Sequence, residues 1–137
     1  MNIYSEAIKK AKRVYVCGNG GSASTANHFV NDLVKKCGIK AYSLSSNEAL
    51  LTALANDEGY RKVFVEQVRI YVEAGDLVIT ISTSGKSANI EEVHKYCTGL
   101  GINCMNFPIY GLEPEPSEDM HLGLAHNICD ELQRWHH

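Results

Sequence analysis

Two short stretches of this chain carry residues suited to an anionic ligand. Gly18-Asn19-Gly20-Gly21-Ser22 follows the apolar run Val14 to Cys17, and Ser82-Thr83-Ser84-Gly85-Lys86-Ser87 follows Leu77 to Ile81. Glycines let the backbone approach a ligand closely and hydroxyls donate hydrogen bonds. A helix that opens in the loop adds free N–H groups and a partial positive charge. Two such loops suit one small phosphorylated ligand held from two sides. His28 and Asp32 form a third feature: they are four residues apart, so on a helix both project from nearly the same face. That pair can ligate a metal, supply an acid and a base, or only hydrogen-bond at the surface. Its helix opens in the first glycine loop, which sets the pair about one to two turns from the ligand.

The elements that must position these groups are legible from periodicity. Residues 3–13 read as a short helix and 14–17 as a buried strand. Residues 22–36 read as a helix, because Ala26, Phe29, Val30 and Leu33 recur at helical spacing, Ser22 can cap the start and Gly38 can end it. Ala41 to Leu44 reads as a short strand, Asn47 to Leu54 as a short helix, and Asn56-Asp57-Glu58-Gly59 as a turn. Tyr60 to Val72 reads as a helix with Val63, Phe64, Gln67, Val68 and Tyr71 on one side, broken by Gly75-Asp76. Leu77 to Ile81 is apolar except for Thr80, the pattern of a central parallel strand covered on both faces. Ala88 to Leu100 reads as a helix and Ile102 to Phe107 as a fourth strand. Pro108 to Pro116 reads as an irregular connection, with a final helix from about Ser117 carrying Leu122, Ala125, Cys129 and Leu132 on its core face. Strands alternating with helices predict a doubly wound parallel α/β sheet, with the ligand at the carboxyl ends of its strands.

The two loops also fit other patterns in part. Gly18 to Ala23 satisfies the dinucleotide pattern G-x-G-x-x-A, but the acid that would hold a ribose at the end of the second strand is replaced by Ser45-Ser46-Asn47, with only Glu48 nearby. Gly85-Lys86-Ser87 ends like a nucleotide P-loop, yet the required upstream glycine would fall on Thr80, inside a strand. Both loops can also be tight strand-to-helix turns and nothing more, since Gly and Ser are common in turns for steric reasons. Against that stands the hydroxyl density of Ser82, Thr83, Ser84 and Ser87.

Length and composition bound the remaining classes. The 137 residues, 45% of them apolar, fit a single domain over 1–137 with a real core. A net charge of −3 with interspersed signs offers no basic stripe for nucleic acid and no polybasic anchor for a membrane. The five cysteines, Cys17, Cys37, Cys97, Cys104 and Cys129, are scattered and lack C-x-x-C spacing, so they read as reduced thiols. Met1 to Lys12 is too polar for a signal peptide, which implies a cytoplasmic protein.

Taken in order, Gly18 to Ser22, His28 with Asp32, Asn56-Asp57-Glu58-Gly59-Tyr60, Ile81 to Asn89, and His121-Leu122 with His126 resemble the sugar isomerase (SIS) family, and within it the phosphoheptose isomerases. The similarity runs from about residue 14 to 132, and Ser-Thr-Ser-Gly-x-Ser-Ala-Asn is its strongest element. The resemblance implies an aldose–ketose isomerase that interconverts sedoheptulose 7-phosphate and D-glycero-D-manno-heptose 7-phosphate through an enediol. It also implies that Ser82, Thr83, Ser84 and Ser87 bind the phosphate, and that Asn19, Gly20, Gly21, Ser22, Asn56, Asp57 and Glu118 line the substrate.

By the same resemblance one zinc ion per subunit is held by His28, Asp32, Glu118 and His126, with Asp32 as base and His126 as acid. Asp32 stands where the family has glutamate, and Glu118 where it has glutamine. Each can still offer oxygen to zinc, although Asp32 is one methylene shorter. Eight residues of helix span about 12 Å, so Glu118 and His126 share an ion only if the helix starts after Glu118 or if they come from different subunits. A homo-oligomer, tetramer or dimer, with sites at its interfaces follows as an expectation. His121 reads as a core or supporting residue, and His136 and His137 as a polar tail. The family carries helices ahead of the first loop, and a Gly/Lys loop plus another strand before the last helix. This chain has thirteen residues and a proline-rich connector at those places, so the sheet is expected to hold four strands, or five if Ile109-Tyr110-Gly111 forms an edge. The alternative class is a non-catalytic SIS module that binds a sugar phosphate or serves as a regulatory scaffold.

Overall fold

The apolar runs become the centre of one parallel sheet in the computed structural model, which describes residues 1–136, with side chains through 135. Strands β1 (Val14–Gly18), β2 (Ala41–Ser43), β3 (Leu77–Ile81) and β4 (Asn103–Asn106) lie in the order β2-β1-β3-β4, all parallel. Helices α1 (Ile3–Lys10), α2 (Gly21–Lys35), α3 (Glu48–Glu58), α4 (Val65–Tyr71), α5 (Ala88–Leu100) and α6 (Pro114–His136) cover its faces. After β1 the chain turns to one side to make β2, then crosses to the other side to make β3. The order therefore reverses between β1 and β3, where a doubly wound sheet opens its ligand crevice.

Alternation along the strands divides the core. Val14, Val16, Leu77, Ile79 and Ile81 face Tyr4, Ile8, Phe29, Leu33, Phe107, Ile128 and Leu132, from α1, α2, α6 and the end of β4. Tyr15, Cys17 and Val78 face Val63, Phe64, Val68, Ile90, Val93 and Cys97 on the opposite side. Both β1 and β3 are buried along their whole length, as strands covered on two faces must be.

Several boundaries differ from the sequence expectation for local reasons. Asn56, Asp57 and Glu58 form the last turn of α3 rather than a separate turn; Gly59, at φ 93°, ends the helix. The expected helix from 60 to 72 divides into a 3₁₀ turn, Tyr60–Lys62, and α4, and Tyr71 is exposed at 45% instead of core-facing. Helix α6 begins at Pro114, inside the expected irregular connection. Pro114 and Pro116 fall in its first turn, where missing N–H groups leave no hydrogen bond unmade. Residues 109–111 form no strand, which leaves β4 as an edge. All five cysteines are free thiols, and burial pushes those of Cys17 and Cys129 well above their usual range. No helix among the described residues is long and apolar enough to cross a membrane. His137 and the side chain of His136 lie outside the described residues.

Phe107 joins these parts: it is fully buried, 5.2 Å from the Tyr4 ring, 5.6 Å from Phe29 and 5.7 Å from His121 between centroids. Phe107→Ala should lower unfolding free energy by about 3–5 kcal/mol in urea titration. A loss under about 1 kcal/mol would show that α1, α2 and α6 do not depend on this contact.

Candidate functional site

The two glycine and serine loops meet because their strands do. Gly18 pairs in register with Ile81, so the chain leaves β1 and β3 at the same level of the sheet. A Cβ at Gly18 would lie 2.8 Å from the Ile81 carbonyl oxygen and 2.8 Å from the Ser22 carbonyl, so this position has no room for a side chain. Gly20, at φ 54°, makes the left-handed turn that starts α2. Asn19, Ser22, Ile81, Ser82, Thr83, Ser84, Ser87 and Glu118 then line a pocket of about 70 Å³.

The hydroxyls divide by task. Ser82 Oγ accepts from Gly85 N–H at 2.9 Å and Ser84 Oγ from Lys86 N–H at 3.1 Å, bonds that shape the loop. Each oxygen keeps its own O–H for a ligand, because a hydroxyl accepts and donates at once. The hydroxyls of Thr83 and Ser87 make no hydrogen bond among the described residues. The loop is a turn that still presents four donors.

His28 and Asp32 lie on α2 and His126 lies on α6, and the three converge. His28 Nε2 is 3.1 Å from His126 Nε2 and 3.4 Å from Asp32 Oδ2. The donor atoms all lie within 4.8 Å of one another. Lys36 Nζ stands 3.9 Å from the other Asp32 oxygen, and Asp32 is only 5% exposed although both histidines are open to solvent. Two imidazole nitrogens on one tetrahedral ion with bonds of 2.0–2.1 Å would sit about 3.3 Å apart. The observed spacing, with a carboxylate oxygen beside it, fits such an ion, and the same atoms can also pass a proton between rings. The scaffold beneath is apolar: Phe29 and Leu33 of α2 share a core with Ala125, Ile128, Cys129 and Leu132 of α6.

Glu118 does not join that cluster. Helix α6 starts ahead of it, so Glu118 and His126 are eight residues apart on one helix, about 12 Å along its axis. The Glu118 carboxylate instead lies over Gly21 at the start of α2, where any Cβ would collide with it. It lines the hydroxyl pocket without a hydrogen bond or ion pair among the described residues. Of the other expected lining residues, Asn19 and Ser22 are in the pocket and Gly20 and Gly21 begin the helix beside it. Asn56 and Asp57 are exposed on α3, outside the pocket lining, with Asn56 Nδ2 donating to Asp57 Oδ1 at 3.0 Å. His121 is fully buried and its Nε2 meets the Pro108 carbonyl at 2.7 Å, a core position.

Sequence reasoning missed two polar contacts behind the loops. Asn89 and Tyr60 both bond the Asn19 amide. Under the second loop, His94 Nε2 meets Thr80 Oγ1 at 2.8 Å, and burial holds the His94 imidazole below its usual pKa. Neither contact has a local signature; the only cue was a lone Thr in an apolar strand.

Electrostatics give the pocket a testable property. A carboxylate close to an incoming phosphate repels it by roughly 1–2 kcal/mol after screening. Glu118→Gln keeps the shape and removes the charge, so calorimetry should find inorganic phosphate bound about tenfold more tightly. Equal or weaker binding in the variant would mean that phosphate does not seat beside Glu118.

Comparison with known proteins agrees with this geometry. The SIS domain family profile matches residues 1–106. The phosphoheptose isomerase of Helicobacter pylori strain Shi470 is 33% identical over 155 residues, covering 98% of this chain and 81% of that protein. That of Clostridium acetobutylicum is 32% identical, covering 98% and 79%. The solved structure of phosphoheptose isomerase GmhA from Neisseria gonorrhoeae superposes with a TM-score of 0.82 at 28% identity, over 94% of this chain and 83% of that one. With its reversed parallel sheet and paired loops, the chain belongs to the SIS domain family, in the group of the phosphoheptose isomerases.

Proposed function

We propose that this protein is a sugar-phosphate aldose–ketose isomerase that interconverts sedoheptulose 7-phosphate and D-glycero-D-manno-heptose 7-phosphate. The observation that carries the reading is the convergence of His28 and Asp32, on the helix that opens in the hydroxyl-lined pocket, with His126 of α6 on one point. From Ser22 to His28 is about 9 Å along the helix axis. A phosphate held by Ser82, Thr83, Ser84 and Ser87 therefore leaves the other end of an open-chain sugar within reach of the cluster.

The reaction moves one proton between adjacent carbons and one between the two oxygens they bear. In this reading Asp32 takes the proton from the carbon next to the carbonyl, leaving an enediol, and returns it to the neighbouring carbon. His126 gives a proton to the carbonyl oxygen as the other oxygen loses its own. Asn19 and Ser22 orient sugar oxygens, and Lys36 Nζ lies 3.9 Å from Asp32 Oδ1. Zinc held by His28, Asp32 and His126 would supply a Lewis acid toward the carbonyl oxygen in place of the His126 proton, with the second Asp32 oxygen as the base. Three protein ligands would leave the ion able to take a substrate oxygen.

Assembly completes the proposal. Helix α3 leaves Leu50, Leu51 and Leu54 half-buried, the last two packed against the core around Val63 and Phe64, and Tyr60, Ile70 and Tyr71 are exposed elsewhere on the surface. A second copy of the chain covering α3 would complete the burial of these leucines, so a dimer or tetramer working in the cytoplasm is the form proposed.

Elemental analysis and light scattering on one preparation test this reading together with turnover. Wild type should carry about one zinc per subunit, run as an oligomer and convert sedoheptulose 7-phosphate. His28→Ala and His126→Ala should each lose most of the zinc and reduce kcat/KM by about 100-fold or more. Metal-free wild type with no turnover after reconstitution would overturn the isomerase and leave the non-catalytic sugar-phosphate module.

A further inference from the structure

The Asn19 amide is held by an arrangement that leaves it one free function. Its Nδ2 donates to Asn89 Oδ1 at 2.9 Å, while its Oδ1 accepts from Asn89 Nδ2 at 2.9 Å and from the Tyr60 hydroxyl at 2.8 Å. An asparagine amide has two N–H groups and two oxygen lone pairs. Both lone pairs and one N–H are therefore engaged, and one N–H remains. Asn19 itself lines the hydroxyl pocket.

The three residues come from separate places: the loop after β1, the first turn of α5 and the 3₁₀ turn after α3. Asn89 is only 3% exposed, so its reciprocal pair with Asn19 is shielded from water and would leave buried polar groups unmet if broken. Tyr60 is 57% exposed, and its hydroxyl makes this one hydrogen bond. The contact ties the loop after β1 to the helix after β3, so the two ligand loops keep a fixed separation.

We propose that Asn89 and Tyr60 are positioning residues that fix the Asn19 amide with one N–H toward the ligand, so that the site takes an oxygen acceptor at that point. The inference rests on the sugar-phosphate reading and refines it. The atom opposite Asn19 is a carbonyl or hydroxyl oxygen of the sugar, and an ammonium at that position is refused because no lone pair is left to receive it.

A double-mutant cycle tests the inference on the intact protein. Tyr60→Phe, on an exposed ring, should lower kcat/KM for sedoheptulose 7-phosphate about five- to tenfold and leave inorganic phosphate affinity within about twofold. In an Asn19→Ala background the same substitution should change kcat/KM by less than about twofold, because its only route of action is gone. Asn89→Asp keeps the acceptor and removes the donor, so it should also lower kcat/KM. A Tyr60→Phe enzyme equal to wild type, or an effect that persists undiminished without the Asn19 amide, overturns the proposal. The Asn19 side-chain NH₂ resonances, identified by their loss in Asn19→Ala, provide a readout independent of turnover. Tyr60→Phe should shift them and speed their hydrogen exchange, and unchanged resonances would overturn the clamp. A wild type that neither binds nor converts the sugar phosphate would sink the isomerase reading, while the resonances would still decide the clamp.

Discussion

Everything at the ligand end depends on how closely the ends of β1 and β3 approach at Gly18. The hydrogen-bonded register puts Gly18 beside Ile81, and the space where a side chain would begin is filled by the Ile81 and Ser22 carbonyls at 2.8 Å. Because Gly18 carries no side chain, the β1 loop can turn through Gly20 directly into α2, and the β3 loop can run alongside it. The hydroxyls of Ser82, Thr83, Ser84 and Ser87 then face Asn19 and Ser22 across a single pocket. The same closeness lets Asn19 reach Asn89, seventy residues further along the chain.

The cluster of His28, Asp32 and His126 depends on a different kind of contact. The apolar seam between α2 and α6 is built from Phe29, Leu33, Ala125, Ile128, Cys129 and Leu132, and packing of this density permits one relative placement of the helices. His28, Asp32 and His126 stand at the edge of that seam, so nonpolar packing aligns three polar donors that attract one another only weakly without an ion. Further toward its N-terminus, the same helix α6 places Glu118 over Gly21. One helix thus reaches both halves of the site, offering an imidazole to the donor cluster and a carboxylate to the hydroxyl pocket.

Much of this was legible because the signals were local. The apolar runs at 14–17 and 77–81, the glycines after the first and the hydroxyls after the second identify two of the strands and the loops that meet at the pocket. The i,i+4 spacing of His28 and Asp32 put both on one helix face. The errors arose where composition and context disagree. Asn56-Asp57-Glu58-Gly59 has the residues of a turn, but α3 already begins at the Asn47 cap, whose side chain accepts from Leu50 N–H at 3.1 Å, and propagation carries it to Glu58. Pro114 and Pro116 read as breakers, yet the first turn of a helix tolerates them, so α6 begins three residues before Ser117 and Glu118 lies wholly inside it. The Asn19, Asn89 and Tyr60 contact was hidden because it joins residues 41 and 70 positions apart through side-chain amides that have no periodic signature.

The central claim is that the proton between two sugar carbons is taken and returned by a group of this protein. Proton NMR of sedoheptulose 7-phosphate incubated with the protein in D₂O tests it most directly. An enediol formed by a base that exchanges with solvent predicts heptose 7-phosphate carrying deuterium at carbon 2, and deuterium at carbon 1 of the recovered ketose. Sugar phosphate that keeps all its carbon-bound protons, with no aldose formed beyond the rate in buffer, would contradict the account.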